Sequence, residues 1–194
     1  RRPRDHKALE ARLGYRFADP GLLDRALTHS SAVAPGKRIA ESYQRLEFLG
    51  DRVLGLVVAD LLYRQMPKAN EGDLNRTLVG LVRGEACAQI SREVGAGLEL
   101  NLGESERRTG GADNDTILGD VAEAIIGAIY LDGGLGQAYS FIERLLDGRI
   151  ETAANRRPDA KTTLQEWAQS RGLEPPDYVL VGQTGLQHAP EFTI

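Results

Sequence analysis

One cysteine, one methionine, one tryptophan and three histidines are spread over 194 residues, too few to build a redox centre, a disulfide framework or a soft-metal cluster. With Cys87 alone, no intrachain disulfide can form, which fits a reducing cytosol, and a lone thiol is most at home in a hydrophobic core. The scarcity of Cys and His disfavours a zinc site. Long apolar runs are also missing. The stretch Ala124–Leu131 falls well short of the roughly 20 residues needed to cross a bilayer, so no membrane span is predicted. Positive charge is not in surplus either: 24 Lys and Arg against 28 Asp and Glu leave a net charge of −4. That balance does not advertise nucleic-acid binding, which usually shows as a basic excess.

What is present is 41% hydrophobic residues, enough for a core, in a chain long enough for one average domain and part of another. The apolar residues concentrate first in Gln44–Leu62, QRLEFLGDRVLGLVVADLL. Glu47 and Asp51 are four apart, so in a helix they stack on one face, and that face continues through Leu54, Val58 and Leu62. Carboxylates in line with a core stripe are costly to desolvate and repel one another, and a cation is the natural remedy. Acids near a helix start equally favour the helix dipole, and the pair alone does not choose between these readings.

Upstream, Leu9 and Leu13 share a helical face, Asp19-Pro20-Gly21 breaks the chain, Leu22–Thr28 resumes a helix, and Ala34-Pro35-Gly36-Lys37 reads as a loop. His29, at the end of that second helix, is expected to be a hydrogen-bonded structural imidazole with no second His nearby. Downstream, Met66-Pro67 ends the central helix. Glu71-Gly72-Asp73 opens another through Leu74, Leu78, Leu81 and Val82, with Glu71 either a first-turn acid or a further site carboxylate. Ala86–Val94 continues helically. Glu104–Asp115, polar and carrying Arg107-Arg108 and Gly110-Gly111, reads as a mobile surface loop.

A second helix, about Asp115–Leu131, has Ile117, Leu118, Val121, Ile125, Ile126 and Ile129 around it, the pattern of a buried helix. Asp120 and Glu123 lie three apart within it, on one face with Gly127 and with no Lys or Arg at helical spacing. Anions placed so would each cost several kcal/mol unless protonated or bound to a cation. Bringing Glu47, Asp51, Asp120 and Glu123 together would make an all-oxygen nest suited to Mg²⁺ or Mn²⁺. An acid-only site of that kind in a helical protein points to phosphate-ester chemistry. A last helix, Ala138–Ile150, closes this part.

QRLEFLGD resembles the signature of the ribonuclease III family of double-stranded-RNA endonucleases. Glu71-Gly72-Asp73 resembles its acidic entrance motif, and Ile117–Ala124, ILGDVAEA, its second metal-binding helix. The resemblance implies an all-helical endonuclease domain with Glu47, Asp51, Asp120 and Glu123 as metal-site carboxylates. Asp51 and Glu123 would be closest to catalysis, and Glu71 near the RNA and a second metal. It also implies Mg²⁺ with Mn²⁺ able to substitute, a cytoplasmic location, processing of structured rRNA and mRNA precursors, and a homodimer in which Phe48 plugs the partner subunit. Phe48 as ordinary core is the plainer reading. Gln44 stands where the family pattern often has Glu, and an amide there keeps hydrogen bonding but loses charge. The alternative from another class is a catalytically silent RNA-binding or scaffold protein with the same fold.

The expected organisation is a catalytic domain over 1–151, a linker over 152–158 and, over 159–194, an α+β segment resembling the N-terminal half of a double-stranded-RNA-binding domain. In it, Thr162–Ser170 reads as a helix, Tyr178–Val181 as a strand, and Glu191–Ile194 as the start of another. Thr162, Gln165, Glu166 and Gln169 share a polar face that suits RNA 2′-hydroxyls, opposite Leu164, Trp167 and Ala168, which are expected to pack inward. By the same resemblance His188, in Gly185-x-x-His-x-x-x-Phe192, matches a loop that enters a neighbouring minor groove; on composition it is a turn residue.

Overall fold

The computed structural model describes residues 4–155, 160–179, 181–186 and 189–193, and the chain divides into two compact units, Arg1–Ala154 and Asn155–Ile194. The first unit is helical. Asp19 caps α2 (Pro20–Ala26) through the Gly21 N–H, after α1 (Lys7–Leu13) has buried Leu9 and Leu13. The segment read as a loop at Ala34–Lys37 holds a 3₁₀ turn, Pro35–Lys37, leading into the single turn of α3 (Arg38–Glu41).

The long α4 (Gln44–Gln65) buries Leu54, Val58 and Leu62, the stripe expected from periodicity. Asn70 caps α5 (Glu71–Val82) by accepting the Asp73 N–H at 2.9 Å, and α6 (Gly84–Glu93) follows directly, with Cys87 fully buried in the core. The expected loop at 104–115 is ordered: it forms α7 (Glu104–Arg108) and a 3₁₀ turn, Gly111–Asp113. The reason is local electrostatics. Acids at its start and arginines at its end both complement the helix dipole, and Glu104 pairs with Arg108 one turn on at 2.6 Å.

Asn114 caps α8 (Asp115–Leu145), 31 residues long, which buries Ile117, Leu118, Val121, Ile125, Ile126 and Ile129. Here the expected division differs. The helix does not stop at Leu131 but runs on through a kink at Gly134, whose φ of 77° and ψ of −179° suit only glycine. The predicted final helix, Ala138–Ile150, is therefore the second arm of α8, ending at Leu145. Beyond it α9 (Arg149–Ala154) is separate, so residues 152–154, expected in a linker, are helical.

Within α8 lies the centre of the unit: α4 crosses it on one side and α6 lies along another, where the buried Ser91 hydroxyl donates to the Leu118 carbonyl at 2.6 Å. In the second unit, α10 (Ala160–Ser170) precedes an antiparallel hairpin of β1 (Gly182–Leu186) and β2 (Ala189–Thr193), paired from Gly182↔Thr193 to Leu186↔Ala189. The predicted strand at 178–181 is displaced. Tyr178 and Val179 have no regular structure, because the residues with a pairing partner begin at Gly182.

Candidate active site

Two glycines bring α4 and α8 into backbone contact. A Cβ on Gly50 would sit 1.7 Å from the Glu123 carbonyl oxygen, and one on Gly127 would sit 2.3 Å from that of Leu46. No other residue type fits either place without moving a helix. The crossing is flanked on α4 by Glu47 and Asp51 and on α8 by Asp120 and Glu123, each half-buried. Acids 72 positions apart in sequence thereby feel one another.

Burial, with repulsion from Asp51, Glu47 and Asp120, pushes the Glu123 carboxyl up to about 7, and Arg52 only partly opposes this. Burial and then the charges of Asp120 and Asp51 raise Glu47. Asp120 is raised by burial as well, although it accepts a hydrogen bond from the Tyr43 hydroxyl at 3.0 Å and lies near His29. Asp51 faces its neighbour Arg52 in an ion pair, and the same guanidinium lies 4.7 Å from the centroid of the Phe48 ring. The four acids form a crowded anionic group with little compensating positive charge. Among the described residues, no three Asp, Glu, His or Cys side chains converge tightly enough to hold one ion as they stand. The donor set nevertheless fits a hard divalent cation: oxygen ligands, excess negative charge and partial burial.

Other expected residues lie elsewhere. Glu71 is exposed at the start of α5, in a hollow lined by Ala59, Leu62 and Tyr63 of α4. Ala59 lies ~18 Å along α4 from Glu47 and ~12 Å from Asp51 at 1.5 Å per residue, so Glu71 borders the second half of that helix and not the end that carries its two acids. Phe48 is 65% exposed, which excludes the core reading, and it heads an apolar row on the outer face of α4 with Leu56 and Tyr63. Gln44 is exposed, near the Ser42 hydroxyl. His29 has the structural role expected, accepting the Ser31 N–H at Nδ1.

A sequence model of the ribonuclease-III-like family matches residues 19–149. The chain belongs to the ribonuclease III family. Ribonuclease 3 of Methylocella silvestris is 53% identical over 98% of this chain and 79% of its own length. That of Azorhizobium caulinodans is also 53% identical, over 98% of this chain and 81% of its own. Among solved structures, the nuclease domain of ribonuclease III from Campylobacter jejuni, described for flexibility in a region involved in dimer formation, superposes with a TM-score of 0.70. It is 38% identical over 74% of this chain and 97% of that one. Dicer from Pichia stipitis gives 0.55 at 25% identity, over 91% of this chain and 81% of that one. The helical unit has the ribonuclease III nuclease-domain fold.

Sequence reasoning missed three residues of this ribonuclease III-family centre. Tyr43 lies four before Glu47, on the same helical face, and that spacing was a usable signal. Arg52 was hidden by its place next to Asp51. Glu106 of α7 lies near enough to act electrostatically on Tyr43, and no local pattern announces it. In the second unit Gln165 and Gln169 are exposed, whereas the side chains of Thr162 and Glu166, and all of His188, lie outside the described residues. Leu164 and Trp167, expected inside, are 44% and 47% exposed; only Ala168 is buried. Arg171 lies over the Trp167 ring at 4.8 Å.

Proposed function

We propose that this chain is an endoribonuclease that hydrolyses phosphodiester bonds in double-stranded RNA with the help of a divalent cation, processing structured RNA precursors such as those of rRNA and mRNA. The observation that carries the reading is the grouping of Glu47, Asp51, Asp120 and Glu123 at the α4–α8 contact of a ribonuclease III-family domain. These four would hold Mg²⁺, or Mn²⁺ in its place, with Asp51 and Glu123 nearest the reacting phosphate. When bound, such an ion supplies Lewis acidity toward phosphoryl oxygens and makes water a better nucleophile. Glu123, titrating near neutrality in the metal-free chain, can hold or release a proton at its carboxyl oxygens.

The exposed row of Phe48, Leu56 and Tyr63 supports assembly as a homodimer, with Phe48 inserted into the partner. Glu71 is assigned an auxiliary acidic role toward RNA. We read 1–151 as the catalytic domain, 152–158 as a linker and 159–194 as the N-terminal half of a double-stranded-RNA-binding domain. Thr162, Gln165, Glu166, Gln169 and His188 are its RNA-facing residues. A helix followed by an antiparallel hairpin supports that reading. Recognition would rest on duplex shape, 2′-hydroxyls and phosphates and weaken as salt rises. Among the described residues no helix is long and apolar enough to cross a membrane; the family and the single thiol favour a cytoplasmic site of action.

The test is labelled duplex RNA incubated with the protein, with and without Mg²⁺. Discrete shortening only with Mg²⁺ is expected. Duplex bound but left intact in Mg²⁺ describes a non-cleaving RNA-binding protein and overturns the proposal.

A further inference from the structure

Asp120 is the one acid of the four whose carboxylate is held by an uncharged partner from another element. The Tyr43 hydroxyl donates to Oδ2 at 3.0 Å across 77 residues of sequence. Tyr43 is itself clamped. Its side chain is only 3% exposed, its N–H donates to the Thr28 carbonyl at 2.9 Å, and the His29 ring tilts against its own at 5.6 Å between centroids. The 27–29 segment is tied in turn to Asn101, through Asn101 N–H to Leu27 and His29 N–H to Asn101, at 2.8 and 3.0 Å. A hydroxyl donor is uncharged, so it orients a carboxylate without neutralising it, whereas an arginine would do both.

We propose that Tyr43 is a positioning residue of the carboxylate centre: its hydroxyl holds one oxygen of Asp120 and leaves the other directed to a divalent cation. The inference rests on the cation-binding reading above. Losing the hydroxyl lets Asp120 rotate while its charge is retained, so affinity for the cation falls but the donor set survives.

The experiment uses the full chain, Mn²⁺ alone as probe, and free Mn²⁺ read by electron paramagnetic resonance. Tyr43→Phe is expected to bind Mn²⁺ about tenfold more weakly than wild type, the size of effect of a hydrogen bond to a charged group. Its thermal midpoint should fall by no more than a few degrees, metal-free duplex-RNA binding should stay near wild type, and its shortfall in cleavage should narrow as Mn²⁺ is raised. A companion pair, 4-aminophenylalanine and 4-fluorophenylalanine at position 43, keeps the ring nearly constant while keeping or removing the donor. The amino form should restore Mn²⁺ affinity and the fluoro form should not, and this comparison decides the matter if Tyr43→Phe does not fold. Equal Mn²⁺ affinity with and without the donor overturns the role of Tyr43. Wild type that binds no Mn²⁺ overturns the cation site itself, a separate result.

Discussion

Gly50 and Gly127 meet where α4 crosses α8, each so close to the opposite backbone that a Cβ would fall 1.7 Å from the Glu123 carbonyl oxygen or 2.3 Å from that of Leu46. The contact sets the spacing of the carboxylates, since Glu123 is both the residue touched and one of the four acids. Gly50→Ala or Gly127→Ala must therefore force the helices apart. Each is expected to cost at least about 2 kcal/mol in urea unfolding, in the range of overpacked cores. Gly136→Ala, at an exposed position of the second arm of α8 with open space around it, is expected to be neutral or stabilising by up to about 1 kcal/mol. Equal effects at all three positions would contradict the close approach.

Glu123→Gln removes a charge that burial and three neighbouring acids already disfavour. Duplex cleavage should drop by at least about a hundredfold, as for loss of a transition-state electrostatic group, while duplex binding persists. In metal-free buffer above neutral pH the variant should melt higher than wild type. A lower melting point would mean that Glu123 is already compensated by a partner.

The raised carboxyls give a pH dependence of definite sign. A group whose folded value lies above its unfolded one favours the folded state below the unfolded value, and that contribution disappears as pH rises through the folded value. For Glu123 the window runs from 4.5 to about 7, and Glu47 and Asp120 act in the same direction. Metal-free protein should lose stability across this range by a few kcal/mol at most, because a tenfold change in one group's proton affinity on folding is worth about 1.4 kcal/mol. Asp24, held down by Arg4 and His6 despite burial, and Asp132, held down by the Asp19 and Ala18 N–H groups, act oppositely at acid pH. Mg²⁺ should flatten the neutral limb. Thermal midpoints against pH, with chelator and with Mg²⁺, measure both effects; a chelated protein that gains stability from pH about 5 to about 8 would refute the assignment.

Phe48 is 65% exposed on a row with Leu56 and Tyr63. Truncating a central aromatic at an interface commonly costs about 2 kcal/mol or more, so Phe48→Ala should weaken self-association by roughly thirtyfold. Analytical ultracentrifugation decides this. Leu98→Ala, 89% exposed on a separate turn, serves as the control and should leave the sedimentation profile unchanged.

Much of this centre was legible because helices convert sequence spacing directly into direction. Glu47 and Asp51 fell on the stripe of Leu54, Val58 and Leu62, which is buried, and Asp120 and Glu123 fell on the face that carries Gly127. Misreadings clustered where local signals compete. Glu104–Arg108 looked like a loop for want of apolar residues, yet a short helix there draws on its charges. The buried helix expected over about Asp115–Leu131 runs further, because the permissive φ of Gly134 lets α8 continue through a kink. Leu164 and Trp167 share the face of buried Ala168 by periodicity, yet they are 44% and 47% exposed, because periodicity names a face and not what covers it.

By itself the sequence determined where the long apolar helices α4, α5 and the first arm of α8 lie, which acids share a face and which family motifs they form, because a period of 3.6 residues is a local property of the backbone. Only the tertiary structure decided that Gly50 touches α8, that Tyr43 reaches Asp120, and that Glu71 shares a hollow with Ala59, Leu62 and Tyr63 of α4. Those relations join residues tens of positions apart. They depend on how closely two helices can pack and where their crossing falls, which no helical periodicity encodes.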